Sequence, residues 1–187
     1  MNNATNVSTG KPKVGGAIFR APLGTPLPTD STSPLDPAFI GLGYVSEDGT
    51  SNANEMDVST IKAWGGAIVY RSLTELTDNF KMVLIESKNV DVLKTVYGDD
   101  NVTVNANGDI HVVVKAEDPI ESVWVIDTVL RGNKAQRIVI ADGAITSRDE
   151  IVYNDSDPIG YGVTISAYPD GDGKTHDTYI EGESISG

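Results

Sequence analysis

Short β-forming runs separated by turn residues fill the second half of the chain, and this alternation constrains the fold more than any other feature of the sequence. Valine, isoleucine and aromatic residues are frequent in the runs, and these residue types favour strands. The dipeptide Asn107-Gly108 predicts a two-residue hairpin, because both of its positions tolerate a positive φ. The runs cover residues 79–87, 102–106, 109–115, 122–130, 135–141, 145–153, 159–168 and 178–180. This pattern predicts a mainly β fold, with antiparallel strands arranged as a sandwich or half-barrel.

One short α-helix is predicted to flank the sheet. Asn89 is a favourable N-cap, and Asp91 places a carboxylate in the first helical turn, where the helix dipole favours negative charge. Gly98 suits the position just beyond the last helical residue. We therefore expect a helix over residues 90–97. Its apolar residues at helical spacing are Val90, Leu93, Val96 and Tyr97.

The first half of the chain is less regular. Residues 1–13 are polar and predict an N-terminal arm. Residues 14–187 are predicted to form a single β-sandwich domain, because a chain of this length supports one core. Five prolines interrupt regular structure between residues 22 and 38, and residues 47–57 are mostly polar. We expect both segments, 22–38 and 47–57, to be irregular extensions of the domain. Possible strands lie around them at residues 14–21, 39–46 and 59–72.

Charge is distributed unevenly along the sequence. The chain has a formal net charge of −13, yet residues 1–20 contain three basic side chains, Lys11, Lys13 and Arg20, and no acid. A strongly negative body argues against a nucleic-acid-binding protein, because phosphate binding requires clustered lysine and arginine. The basic arm is either a solvated tail or a segment that docks on the acidic surface of another copy.

Residues for catalysis or cofactor binding form no recognisable pattern. The absence of cysteine excludes thiol nucleophiles, disulfides and thiolate zinc sites. Asp170 begins a segment similar to a calcium loop, but Lys174 occupies a ligand position and Thr175 stands where glycine is required. His111 and His176 are far apart in sequence and lack metal-ligand spacing. We therefore expect a protein that is not an enzyme, with no catalytic residues, no cofactor-binding residues and no metal site.

The sequence predicts no membrane insertion. No apolar run approaches the roughly 18–20 residues that a membrane-spanning helix requires. The N-terminus is polar and lacks the apolar stretch of a signal peptide.

Three segments resemble the major tail tube protein of long-tailed, siphophage-type bacteriophages. They are residues 11–28 (KPKVGGAIFRAPLGTPLP), 41–49 (GLGYVSEDG) and 84–98 (LIESKNVDVLKTVYG). The resemblance implies a β-sandwich or barrel flanked by a helix, with an N-terminal arm and a long loop that reach neighbouring subunits. It also implies rings of six copies, stacked into a hollow tube that surrounds the tape-measure protein and later conducts DNA into the host.

The resemblance also implies partners and contact regions. The expected partners are other copies of the chain and the tape-measure, tail terminator and tail-tip proteins, and DNA would pass through the lumen without specific binding. The expected location is the virion tail, after assembly in the bacterial host cytoplasm. We expect residues 1–20 and 47–57 to bridge rings and helix 90–97 to lie at a subunit junction. The candidate oligomer contacts are Lys11, Lys13, Arg20, Asp48, Val90, Leu93 and Tyr97.

Two alternatives remain open. One is a tube subunit of a contractile injection system, which would share this architecture. The other is a monomeric β-sandwich module that binds carbohydrate or a cell surface, in which Trp64 and Trp124 would stack on sugars and the turn at 170–174 would contribute. Both tryptophans lie within β-forming runs, where packing in the protein interior is the expected role.

Overall fold

The computed structural model describes residue 2 and residues 4–182. Residues 1 and 3 of the predicted arm and residues 183–187 of the predicted domain lie outside this part. The described residues form β1 (Lys11–Pro12), β2 (Ile18–Pro22), β3 (Ile40–Gly41), β4 (Val45–Lys62), β5 (Ile68–Leu84), α1 (Val90–Tyr97), β6 (Val102–Val104), β7 (Ile110–Val112), β8 (Ser122–Leu130), β9 (Lys134–Arg148), β10 (Tyr161–Ala167) and β11 (Asp177–Ile180). Two short 3₁₀ turns span Ala4–Asn6 and Asp99–Asn101.

Nine of these strands form one sheet. Its main path runs β3-β2-β8-β9-β10-β5-β4, with β1 beside β8 and β11 beside β9, while β6 and β7 form a separate two-stranded sheet. Every pair among the described strands is antiparallel. The predicted fold class, a mainly β sandwich or half-barrel with one short helix, is therefore confirmed.

The main core lies between one face of the sheet and α1. The helix spans the residues predicted for it, with the backbone N–H of Asp91 donating to the side chain of Asn89 over 3.0 Å. Gly98 ends it with a φ of 104°, a conformation that favours glycine. Trp124 is buried in this core, and its Nε1 donates to the carbonyl of Gly143 over 2.8 Å. The other buried members include Ile18, Leu42, Phe80, Met82, Leu84, Val92, Leu93, Val96, Ile126, Ile140, Val163 and Ile165.

The opposite face of β8 and β9 is covered by the proline-rich segment. Residues 23–39 contain no strand or helix, and they lie against this face. Arg137, which is 1% exposed, fixes them in place because its Nη1 donates to the carbonyls of Asp30 and Ser33. Its Nε and Nη2 form a bidentate ion pair with Asp127 at 2.7 and 2.9 Å. A buried arginine therefore ties the irregular segment to the sheet.

The prediction of an irregular loop over residues 47–57 is wrong. These residues belong to β4, which pairs with β5 from Thr50 opposite Met82 to Lys62 opposite Ile68. Their polar composition suggested a loop because neither strand face is buried along most of β4. Backbone hydrogen bonds to β5 form the strand there. The sequence of β4 lacks the alternation of apolar and polar residues by which half-buried strands are recognised.

Other strand boundaries differ from the predicted runs. The runs 135–141 and 145–153 are largely one strand, β9, which ends at Arg148. A hairpin is present around Asn107-Gly108, but its connection is longer than the predicted two residues. The last strand pair is Val104 with Ile110, only Gly108 of the dipeptide has a positive φ, and β6 and β7 contain three residues each. The strand predicted over residues 14–21 is β2, which begins at Ile18 rather than Val14, because Gly15 and Gly16 adopt positive φ values of 96° and 135° that interrupt extended structure.

Candidate assembly surfaces

The hairpin formed by β4 and β5 projects from the sheet. Its tip, residues 63–67, is closed by a 2.7 Å hydrogen bond from the N–H of Ala63 to the carbonyl of Ala67, and Gly65 and Gly66 have positive φ values. Trp64 lies at this tip and is fully exposed. The expectation that Trp64 packs inside a β run is therefore wrong, whereas Trp124 is buried as expected.

The hairpin has a stem and a distal part of different chemistry. We define the stem as residues 47–57 with 74–78, and the distal hairpin as residues 58–73. In the stem, Met56 pairs with Leu76 on the side that continues the core. The pairs on either side of it face the opposite side of the hairpin, because neighbouring residues of a strand point in opposite directions. These pairs carry three exposed carboxylates. They are Glu55, Asp57 and Glu75.

The distal hairpin is apolar on both sides. Val58 pairs with Leu73 and, three residues further along β4, Ile61 pairs with Tyr70, so that the two pairs face opposite sides. Between residues 58 and 73 the only charged residues are Lys62 and Arg71, although the whole chain is strongly acidic. The exposed large apolar residues here are Val58, Ile61, Trp64, Ile68, Val69, Tyr70 and Leu73. A surface of this kind marks a protein–protein contact.

A buried carboxylate holds the root of the hairpin. Asp78 is 1% exposed and accepts hydrogen bonds from Asn52 at 2.7 Å and from Thr175 at 2.6 Å, and His176 Nδ1 lies 2.6 Å from its Oδ2. Burial on its own would raise the pKa of Asp78. The hydrogen bonds from Thr175, Asn52 and His176 outweigh it and lower the pKa below its ordinary value. The hairpin is thus fixed to the segment that precedes β11.

The N-terminal arm lies along the turn between β8 and β9. Lys11 pairs with Val129 in the sheet, and Nζ of Lys13 lies 3.1 Å from the buried Asp127. The N–H of Arg131 donates to the Ser8 hydroxyl over 2.7 Å. Lys13 is therefore already paired within its own chain, while Lys11 is exposed.

A cleft of about 480 Å³ lies between the C-terminal end of α1 and the segment that leads into β8. Tyr97, Pro119, Ile120 and Ile145 line it together with charged side chains, including Arg148. The guanidinium carbon of Arg148 lies 5.6 Å from the centre of the Tyr97 ring, a cation–π contact. The volume of the cleft lies within the range of about 300–1,000 Å³ that is typical of pockets that enclose organic groups.

The comparison with protein families gives the identity of this architecture. The family model described as phage tail tube protein matches residues 3–185, nearly the whole chain. The chain belongs to the phage tail tube protein family. A search of the curated proteins found no match. As a tail tube protein, the chain is a structural component of a bacteriophage tail that assembles with copies of itself into a tube.

The residues predicted for subunit contacts in this tail tube protein are not equally accessible. Arg20 is engaged within its own chain, with Nη2 3.1 Å from Asp99 and Nε donating to Ser122. Asp48 is exposed beside Gly49 and available to a neighbour. The residues predicted on α1 pack against their own core: Leu93 is 4% exposed, and Val90 and Tyr97 are partly buried.

The distal hairpin is a candidate assembly surface that the sequence analysis did not identify. The strand pieces predicted over residues 59–72 around Gly65-Gly66 are present, but their exposure was not predicted. The signal was available in their composition, since residues 58–73 contain two basic residues, no acid and seven large aliphatic or aromatic residues.

The described part of this tail tube protein contains neither a metal-binding cluster nor a membrane-spanning helix. Among residue 2 and residues 4–182, no three His, Asp or Glu side chains are grouped as a metal site requires. Within the same residues, no helix is long and apolar enough to cross a membrane. His111 lies exposed in β7, and His176 is engaged with Asp78.

Proposed function

We propose that this chain is the wall subunit of a hollow phage tail tube, built from stacked rings of six copies, through which DNA passes into the host. The observation that carries the proposal is the distal hairpin, an exposed apolar segment that projects from a folded body. Covering such an exposed apolar surface with another protein removes it from water and is favourable. In a self-assembling tail tube protein, the available cover is a second copy.

The hairpin also fits an open assembly better than a closed dimer. A projecting element that enters a different surface of its neighbour makes a head-to-tail contact, and such contacts repeat to form rings or filaments. Edge strands β3 and β4 of the main sheet add unpaired backbone groups that a neighbouring copy can use. Exposed Lys11 and Asp48 are proposed as further contacts of this assembly.

The acidic face of the stem is proposed to line the lumen. Glu55, Asp57 and Glu75 lie on the side opposite the apolar face, so that they remain in water when the apolar face is covered. Repeated carboxylates around a bore repel DNA phosphates and let the duplex slide, which is the converse of binding through lysine and arginine. The tape-measure, tail terminator and tail-tip proteins are the further partners proposed for this tube in the virion.

Negative-stain electron microscopy over a concentration series, combined with light-scattering mass, tests the proposal. We expect rings or tubes of uniform width, with masses in multiples of six protomers. A protein that stays monomeric at every concentration and salt would contradict it. Images of the intact virion tail, labelled with an antibody to the exposed turn at residues 170–173, give an independent test of location.

The exposed Trp64 is the observation that favours the alternative of a surface-binding module. An exposed tryptophan provides a stacking platform for sugars. Glycan-array binding by the wild-type protein that Trp64→Ala abolishes, in a protein that never assembles, would favour this alternative. A tube with a sheath protein around it would instead indicate a contractile system.

A further inference from the structure

We propose that the distal hairpin of one copy seats in the cleft beside α1 of a second copy, with Trp64 as its central side chain. This inference rests on the proposed function, because it assigns the two surfaces that join successive copies of the tube. It names one occupant for the cleft, the segment of residues 58–73 of another identical chain.

The hairpin cannot reach the cleft of its own chain. Ile145 and Ser147 of the cleft belong to β9, and β9 and β10 place Ile145 at the level of Phe80 in β5. From Phe80 to the tip at Gly66 the hairpin extends by 14 residues, about 45 Å at a rise of roughly 3.3 Å per residue. The tip and the cleft therefore lie well apart on one molecule. Contact between them requires a second copy, and the contact is head-to-tail.

The surface of the distal hairpin has the chemistry of an inserted element. Its apolar pairs face both sides, so that covering a single side would leave apolar surface in water. Trp64 is fully exposed at the tip, and tryptophan is among the residues that contribute most to protein–protein contacts when they fill a pocket. Lys62 and Arg71 flank this apolar surface and give the segment a positive charge.

The cleft has a complementary surface. Ile120, which lines the cleft, is 48% exposed and offers apolar contact. Residues 99–121, which form this side of the molecule, contain six carboxylates and one lysine. The charge of this segment is thus opposite to that of the hairpin tip.

The basic groups at the cleft are already engaged within the chain. Arg20 pairs with Asp99, Lys115 lies 3.5 Å from Glu117, and Arg148 lies over the Tyr97 ring. Three further exposed acids of this segment form no salt bridge with any basic group of the described residues. These are Asp100, Asp118 and Glu121. They are therefore free to receive Lys62 and Arg71 of the incoming hairpin, which would set its orientation.

Cysteine cross-linking tests the contact directly, because the chain has no cysteine of its own. Ala63→Cys is combined with Pro119→Cys, which places one thiol beside Trp64 and one at the cleft. We expect an intermolecular disulfide ladder in oxidised tubes and none in the dilute monomer. The matched control combines Ala63→Cys with Gly171→Cys, on a distant exposed turn where an added side chain meets no atoms within 4 Å.

The outcomes separate this inference from the proposed function. Wild-type tubes together with a ladder specific to the Ala63–Pro119 pair would support it. Wild-type tubes without that ladder, or with an equal ladder in the control, would overturn the cleft contact and leave the tube intact. A wild-type protein that forms no tubes would overturn both.

Charge exchange provides a second test. Lys62→Glu with Arg71→Glu is expected to abolish tubes without lowering the melting temperature, since both side chains are exposed. Adding Asp118→Lys and Glu121→Lys to the same chain should restore assembly. The control adds Asp155→Lys and Asp172→Lys, which give the same net charge at exposed positions elsewhere. Restoration in the control but not at the cleft would overturn the contact.

Discussion

His176 Nδ1 lies 2.6 Å from the Oδ2 atom of Asp78, so that the turn before β11 is tied to the root of the long hairpin. The His176 ring also meets Phe80 edge to face, with centroids 5.3 Å apart. One polar and one aromatic contact therefore link the segment before β11 to β5, a strand of the long hairpin. The link lies at the base of the hairpin, because Asp78 is the first buried residue of β5.

Asp78→Ala is expected to destabilise the fold more than any exposed change in the hairpin. The substitution leaves the side chains of Asn52, Thr175 and His176 without their acceptor in a buried site. We expect a loss of about 2–4 kcal/mol in the free energy of unfolding, from the cost of buried groups left unpaired. Urea denaturation measures it. Asp57→Ala, an exposed carboxylate in the same hairpin, is the control and should cost less than about 0.5 kcal/mol.

The contribution of Asp78 to stability should disappear in acid. Its pKa in the folded protein is lowered below 3.8, so that the folded state binds fewer protons than the unfolded state. Its stabilisation is therefore complete above the unfolded pKa and is lost as the pH falls through the folded pKa. The difference in unfolding free energy between wild type and Asp78→Asn should be full at about pH 5–7 and shrink toward about pH 3. A difference that grows toward acid would show that the carboxylate is not stabilised by these hydrogen bonds.

The fold class, the helix and the strands of the second half followed from the sequence because local and tertiary preferences agree there. Asn89, Asp91 and Gly98 each suit one position of the helix, and β8 combines strand-forming residues with complete burial over most of its length. The long hairpin did not follow, because its stem is polar and its strands are exposed on both faces. Within the chain it is held by backbone pairing between β4 and β5, and its exposed apolar tip contributes nothing to the core.

The assembly surfaces were only partly predictable for the same reason. The helical spacing of apolar residues placed Leu93 on the apolar face of the helix. It could not show that this face packs into the core of the same chain. Likewise the basic charge of Lys13 suggested a contact with another copy, while the structure pairs it with Asp127. Pairings between residues more than 100 positions apart depend on sheet topology, which local patterns do not encode.

Arg137→Ala should both destabilise the protein and release the irregular segment. Its removal leaves the Asp127 carboxylate buried with Lys13 alone, and the carbonyls of Asp30 and Ser33 lose their donor. Loss of one partner of a buried ion pair costs about 3–5 kcal/mol. Hydrogen–deuterium exchange should show faster exchange across residues 23–39, with little change in β10.

Two further variants test the role of Arg137. Arg137→Lys keeps the charge but cannot make the bidentate pair and the two carbonyl contacts together, so only part of the stability should return. Arg131→Ala removes an exposed arginine from the neighbouring turn and should leave exchange in residues 23–39 unchanged. Full recovery with lysine would show that charge alone holds the segment.

Reversing the acidic face of the stem should convert the tube from one that releases DNA to one that retains it. The variant combines Glu55→Lys, Asp57→Lys and Glu75→Lys, which replaces three exposed carboxylates per subunit with cations on the proposed lumen side. Short duplex DNA added during assembly should remain in the purified tubes, protected from nuclease, and be released as salt is raised, because counterion release governs phosphate binding. The same reversal at Asp155, Asp157 and Asp172 adds equal charge elsewhere and should bind DNA, if at all, in a nuclease-accessible form. Nuclease-accessible DNA on both variants would place the stem face on the outside of the tube. Nuclease protection in the second variant alone would show that the surface around Asp155, Asp157 and Asp172 lines the lumen.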